Sequence, residues 1–131
     1  MREGAPVPPL VANLNKSFED FTLDVSFTLP SGITILFGRS GSGKSTILNC
    51  LAGLLKPDRG QIQVGDETLF DFARKIDVPA ERRGIGYVFQ SLALFPHLSV
   101  EKNVAYGVRK PNSQARIAEI LEAFRISALR H

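Results

Sequence analysis

Gly38-Arg39-Ser40-Gly41-Ser42-Gly43-Lys44-Ser45-Thr46 fits a phosphate-binding pattern: Gly, four free residues, Gly, Lys, then Ser or Thr. A glycine-rich surface turn is the bland alternative, and the flanks argue against it. Gly32-Ile33-Thr34-Ile35-Leu36-Phe37 precedes the loop as a nearly continuous apolar run, which predicts a buried parallel strand. After it, Ile47, Leu48, Leu51, Leu54 and Leu55 form one apolar stripe at helical period, with Lys56-Pro57 as the stop. Strand, glycine loop, helix is the order that a phosphate site requires.

The residue types follow from the chemistry. A polyphosphate needs donors at close range, and glycine lets the backbone bend around it with no Cβ in the way. Backbone N–H groups of Gly41, Gly43, Lys44 and Ser45 can point inward, and the positive end of the following helix favours the anion. Lys44 is expected to reach the β- and γ-phosphates. Ser45 is expected to offer its hydroxyl to Mg²⁺, a hard cation that shares the phosphate oxygens of the nucleotide.

Composition bounds the rest. With 131 residues, 44% of them hydrophobic, the chain can build one core, and 22% charged residues argue against disorder. The net charge of +3 arises from 16 basic and 13 acidic residues spread along the chain, so no basic tract points to nucleic acid. The lone Cys50 lies in the apolar helix, where core packing is its ordinary role. Met1 to Pro9 lacks the apolar centre of a signal peptide, and no run approaches the ~18 apolar residues of a membrane span. A cytoplasmic protein, peripheral to a membrane at most, is expected.

The proline-rich residues 1–9 read as a disordered tail. Leu10 to Leu14 is a strand candidate, and Leu23, Val25, Phe27 and Leu29 alternate with Asp24, Ser26 and Thr28 as a half-buried strand. Two antiparallel strands ahead of a parallel one predict a mixed sheet. Gln61 to Val64, a turn at Gly65-Asp66 and a return strand from Glu67 to Phe72 follow, then a charged loop from Ala73 to Arg83 interrupted by Pro79. Ile85-Gly86-Tyr87-Val88-Phe89 is a second apolar run suited to a buried strand, ending at the polar Gln90. Ser91 to His97 reads as a loop that leaves Leu92, Leu94 and Phe95 exposed or covered by a partner. Ser99 is a helix N-cap, with Gly107 closing that helix. A last helix starts near Asn112 and carries Ile117, Ile120, Leu121 and Phe124 on one face.

In this order, several segments together resemble the nucleotide-binding subunit of ABC transporters of the importer type, across residues 10–131. They are Gly38 to Thr46 with Leu51-Ala52-Gly53-Leu54, Pro57-Asp58-Arg59-Gly60, Arg82 through Gln90, and Leu94-Phe95-Pro96-His97-Leu98-Ser99-Val100-Glu101-Lys102-Asn103-Val104. The resemblance implies an α/β P-loop NTPase core: a mixed sheet with antiparallel N-terminal strands and parallel strands flanked by helices, truncated here. Residues 10–89 would be the nucleotide-binding core, and 90–131 the Q-loop and the start of a helical subdomain.

The resemblance further implies ATP and Mg²⁺ as ligands. Gln90 becomes the Q-loop glutamine, which contacts Mg²⁺ and the attacking water and senses the γ-phosphate; with Lys44 it forms the catalytic pair of this chain. An aromatic ring ahead of the loop is expected to stack on adenine, Phe18 by first choice and Phe21 by second. His97 falls where the family meets its membrane subunit, so it reads as interface and not as a base. Implied partners are transmembrane permease subunits, a second copy of an ATP-binding subunit and, indirectly, a solute-binding protein. That places the chain on the cytoplasmic face of the cell membrane. Pro79-Ala80-Glu81-Arg82-Arg83-Gly84 looks most like molybdate-type importers, which makes molybdate or a related anion the cargo by likeness.

The family pattern also contains a Leu-Ser-Gly-Gly-Gln-like signature, an apolar strand ending in Asp-Glu, a loop Asp and a switch His, and none occurs in these 131 residues. The chain is therefore expected to be an N-terminal fragment. Alone it should hydrolyse ATP poorly, since losing general-base catalysis costs about 10²- to 10⁴-fold, and it should leave a sheet edge and an apolar face uncovered. A non-hydrolytic nucleotide-binding module is the alternative reading, to which a true stop after His131 would point. A small-molecule kinase is a third reading, disfavoured by the Gln90 segment.

Overall fold

A computed structural model of the chain describes residues 8–91, 93–108 and 114–129. The alternating stretch forms strand β2, Thr22–Leu29, antiparallel to β1, Leu10–Ser17, with Leu10 opposite Leu29 and Ser17 opposite Thr22. On its other edge β1 pairs antiparallel with β3, Arg59–Val64, where Leu10 faces Val64 and Asn15 faces Arg59. The Gly65-Asp66 turn returns the chain into β4, Glu67–Asp71, and a two-residue β5, Ile76–Asp77, closes the order β2-β1-β3-β4-β5. A register shift between Ile62 and Gln63 marks a bulge in the β3–β4 pair.

Helix α1, Lys44–Ala52, directly follows the glycine loop. Its Ile47 and Cys50 join Ala12 and Leu14 of β1, Leu23 of β2, Ile62 of β3 and Phe70 of β4 in one buried cluster. Alternate residues of β1 to β3 feed this face, as the pleat requires, whereas β4 adds the successive Leu69 and Phe70 next to its bulge. Cys50 is fully buried here, as expected, and burial pushes its thiol pKa up, so it is a packing residue and not a nucleophile.

Several expectations need correction. Among the described residues every strand pair is antiparallel, and Gly32 to Phe37 forms no strand. Ile33 and Phe37 are 96% and 97% exposed, so this run is not buried. Ile85 to Phe89 likewise lies outside any described strand, with Val88 96% exposed. The reason is geometric: β1 to β5 pair only with one another, and no described strand lies beside either run to take up its backbone hydrogen bonds. The P-loop architecture of strand-like run, glycine loop and helix keeps its order, but its parallel half is not built from these residues.

Helix α1 also ends earlier than Lys56-Pro57. Gly53, left-handed at φ +78°, turns its N–H onto the Asn49 and Cys50 carbonyls and stops the helix at Ala52, so Leu54 lies past its end; Leu48, within the helix, and Leu54 are both about half exposed. The stretch 73–83 is not all loop, since it holds β5 and a 3₁₀ turn, Ala80–Arg82.

The chain divides into two compact units, one up to Tyr87 and one from Val88. In the second, Ser99 caps α2, Val100–Ala105, by accepting from the Lys102 N–H at 3.4 Å. Helix α3, Gln114–Ala123, buries Ile117 and Leu121 but not Phe124, which lies past its end and is 72% exposed. The expected tail as far as Val7, the expectation for Leu92, the helix start near Asn112 and the terminal His131 lie outside the described residues.

Candidate nucleotide site

Two left-handed glycines shape the loop, Gly41 at φ +79° and Gly43 at φ +89°. The Ser42 N–H closes a turn onto the Arg39 carbonyl at 3.2 Å. Gly43 is the N-cap of α1, and the first helical bond runs from the Ile47 N–H to the Gly43 carbonyl at 2.9 Å. The N–H groups of Lys44, Ser45 and Thr46 therefore lie ahead of the helical ladder, at its positive end.

Glycine matters at two points of this loop to different degrees. A Cβ at Gly38 would come within 2.9 Å of Ser42 Oγ, a hydroxyl that can turn aside. A Cβ at Gly43 would meet Leu23 Cδ1 at 3.0 Å and Phe21 Cζ at 3.2 Å, on a backbone that L-residues rarely adopt.

Lys44 bends back over the loop. Its Nζ donates to the Gly38 carbonyl at 2.8 Å, the Arg39 carbonyl at 2.6 Å and, at 3.4 Å, Ser42 Oγ. The ammonium thus stands among the loop atoms that would surround an anion. Arg39, Ser40 and Ser45 are exposed, and Thr46 is half-buried.

The loop fits a polyphosphate: close backbone approach where Cβ atoms are absent, N–H groups ahead of the helix, and a fixed ammonium. No group of three or more His, Cys, Asp or Glu side chains among the described residues could hold a metal. A divalent cation at this loop would rely on the Ser45 hydroxyl and on phosphate oxygens of the nucleotide, as Mg²⁺ commonly does.

The two candidate adenine platforms sit side by side. The Phe18 N–H donates to the Phe21 carbonyl at 2.7 Å, which turns the chain between β1 and β2, and the rings stack at 6.3 Å with a 21° interplanar angle. Both are partly exposed above a shallow depression lined by Ser17 to Phe21. Phe21 is the ring that abuts Gly43.

Gln90 is exposed and belongs to the second unit. In that unit the Phe95 to Ser99 loop is organised by Asn103. Its Nδ2 donates to the Phe95, Leu98 and Ser99 carbonyls at 3.0–3.1 Å, and its Oδ1 accepts from the Phe95 N–H at 2.8 Å. The Phe95 ring lies 4.2 Å from Tyr106 and 6.0 Å from His97, while Leu94 is 62% exposed.

Sequence reasoning missed Arg83. Its side chain is 1% exposed, and it donates Nη1 to the Cys50 and Leu51 carbonyls at 2.8 and 2.9 Å and Nε to the Val78 carbonyl at 2.7 Å, with Asp77 at 3.4 Å. It thereby satisfies carbonyls at the C-terminal end of α1. Burial lowers its pKa and the Asp77 carboxylate opposes that shift, so the guanidinium stays charged. No local pattern marks Arg83, because its helix partners lie 32 and 33 residues away.

A family model described as ABC transporter matches residues 22–131. The chain belongs to the ABC transporter family. Among relatives of this ABC chain, the molybdenum import ATP-binding protein ModC of Pseudomonas fluorescens is 44% identical over 119 residues, 90% of this chain and 33% of the relative. ModC of Aliivibrio fischeri is 48% identical over 99 residues, 75% of this chain and 27% of the relative. ModC of Rhizobium meliloti is 49% identical over 87 residues, 66% of this chain and 24% of the relative. The ABC chain thus spans about a third of the length of the first two curated relatives it matches. None of its described helices is long and apolar enough to cross a membrane.

Proposed function

We propose that this chain carries the ATP-cradling part of the ATP-binding subunit of an importer, whose cargo is molybdate or a related oxyanion. The carrying observation is the loop itself: left-handed Gly41 and Gly43, the free helix-end N–H groups, and Lys44 Nζ within 2.8 Å of the Gly38 and Arg39 carbonyls. In this reading Gly38 to Thr46 wrap the phosphates. Lys44 neutralises the β- and γ-oxygens, while Ser45 and Gln90 hold Mg²⁺. Adenine stacks on the Phe18–Phe21 pair. Bound Mg²⁺ would supply charge neutralisation at the phosphates, and the residues of this chain position and stabilise the anion.

The cargo and the setting rest on likeness to relatives named for molybdenum import. Permease subunits would meet the Asn103-organised loop, a second ATP-binding subunit would complete the nucleotide sites, and a solute-binding protein would act indirectly. The subunit would work at the cytoplasmic face of the cell membrane. ATP hydrolysis would belong to the whole protein.

Lys44→Ala in the full-length protein tests the core of the reading, with binding of a fluorescent ATP analogue and Mg²⁺ as the readout. A charge-assisted hydrogen bond contributes about 1.5–3 kcal/mol, so affinity is expected to fall about 10- to 100-fold. Unchanged affinity would overturn the reading. Uptake of molybdate, compared with sulfate, by vesicles carrying the assembled complex tests the cargo.

A further inference from the structure

Two contacts on α1 are not used by the phosphate reading. Asn49, half-buried near the middle of the helix, accepts a hydrogen bond from the Tyr87 hydroxyl at 2.6 Å. Next to it, the buried Arg83 holds the Cys50 and Leu51 carbonyls. Space for the guanidinium comes from Gly53, where a Cβ would stand 2.6 Å from Arg83 Nε. The segment 83–87 is therefore gripped by α1 at both of its ends, through a guanidinium on the helix carbonyls and a phenol on a helix side chain.

The same helix carries Lys44 and Ser45 in its first turn, and Asn49 lies five residues on, about 7.5 Å along the axis. Tyr87 is separated from Gln90 by Val88 and Phe89. We propose that Tyr87, through Asn49, is a positioning residue that ties the phosphate-loop helix to the chain leading into Gln90. A shift of α1 when the loop closes on phosphates is passed to Tyr87 by a short hydrogen bond and onward by covalent continuity. Arg83 ties the other end of the segment to the same helix, so residues 83–87 follow α1 as one piece and the displacement enters the chain after Tyr87. The proposal rests on the ATP reading above and adds a route by which Gln90 is set.

The test uses the full-length protein in its membrane complex, with Tyr87→Phe, Asn49→Ala and the double variant. Tyr87→Phe removes one oxygen and keeps the ring. The expected result is MgATP affinity within about twofold of wild type and kcat for ATP hydrolysis lowered about 3- to 10-fold, the worth of one hydrogen bond. The double variant is expected to lose no more than the larger single loss, because both changes remove the same bond. A merely structural role would lower the melting temperature and leave kcat per folded molecule intact, and that result overturns the proposal. So does unchanged kcat, a parallel loss of affinity and kcat, or two losses that multiply. Lys44→Ala run alongside separates the failures. If it leaves affinity intact, the ATP reading falls and the coupling with it; if it abolishes binding while Tyr87→Phe is silent in kcat, the coupling alone falls.

Discussion

Gly43→Ala tests the loop geometry most directly, because two independent penalties fall on one methyl group. The backbone there is left-handed at φ +89°, which costs an L-residue roughly 1–2 kcal/mol. The new Cβ would also stand 3.0 Å from Leu23 Cδ1 and 3.2 Å from Phe21 Cζ. Leu23 is 3% exposed and has little room to retreat, whereas Phe21 is 38% exposed and can swing outward. Overpacking of this kind costs about 1–3 kcal/mol. Together they predict a stability loss of about 2–5 kcal/mol. Displacing the Gly43 N–H and the start of α1 should also weaken MgATP binding at least about tenfold.

Chemical denaturation and nucleotide titration of the full-length protein read both effects. Adding Phe21→Ala to Gly43→Ala relieves the ring contact alone and should recover about 1 kcal/mol of the overpacking. Where glycine occupies a backbone that alanine tolerates, alanine stabilises by about 0.4–1 kcal/mol. A Gly43→Ala protein that gains stability and binds MgATP normally would falsify both the left-handed cap and the Phe21 contact.

Gly60→Ala places a Cβ directly on the Asn13 carbonyl at φ +110°, so β1 and β3 must part; denaturant midpoints should fall by about 3–5 kcal/mol equivalent. Phe18→Ala is expected to weaken ATP and ADP alike, by about 3- to 10-fold for a lost stacking contact; an effect confined to Phe21→Ala moves the adenine platform to the ring beside Gly43. Asp58 accepts from Lys16 Nζ at 2.7 Å and from the Ser17 N–H at 2.8 Å, and these two bonds hold its carboxyl below the usual carboxylate range. A lowered folded pKa means that its contribution is fully present above the ordinary aspartate pKa of about 3.9 and is lost as pH falls through the lower folded value. Asp58→Asn should therefore flatten the acid limb of a stability–pH curve below about pH 4 and leave its neutral part with a constant offset.

Local chemistry was readable where the partners are local. The alternation of β2, the Gly65-Asp66 return, the Ser99 cap and the helix behind the glycine loop all follow from period and end residues within a few positions. The apolar runs at 33–37 and 85–89 were read as buried because hydrophobicity reports a preference for burial and says nothing about whether a neighbour is present. Arg83 escaped for the opposite reason: a charged residue beside a second arginine looks solvated, and only the fold brings it to carbonyls of a distant helix end. In the loop, residue types announced an anion site, but the contact of Phe21 with Gly43 and the inward fold of Lys44 are tertiary facts.

The fold of Lys44 onto its own loop also limits what can replace it. An ammonium has three N–H groups in a tetrahedral array, and here two make short bonds to the Gly38 and Arg39 carbonyls while the third makes only the 3.4 Å contact to Ser42 Oγ. One directed donor is left to change partner when an anion arrives. Arginine has the same charge, but its donors lie in one plane and do not reproduce that tetrahedral set. What this position selects is the solid angle of a cation, more than its charge.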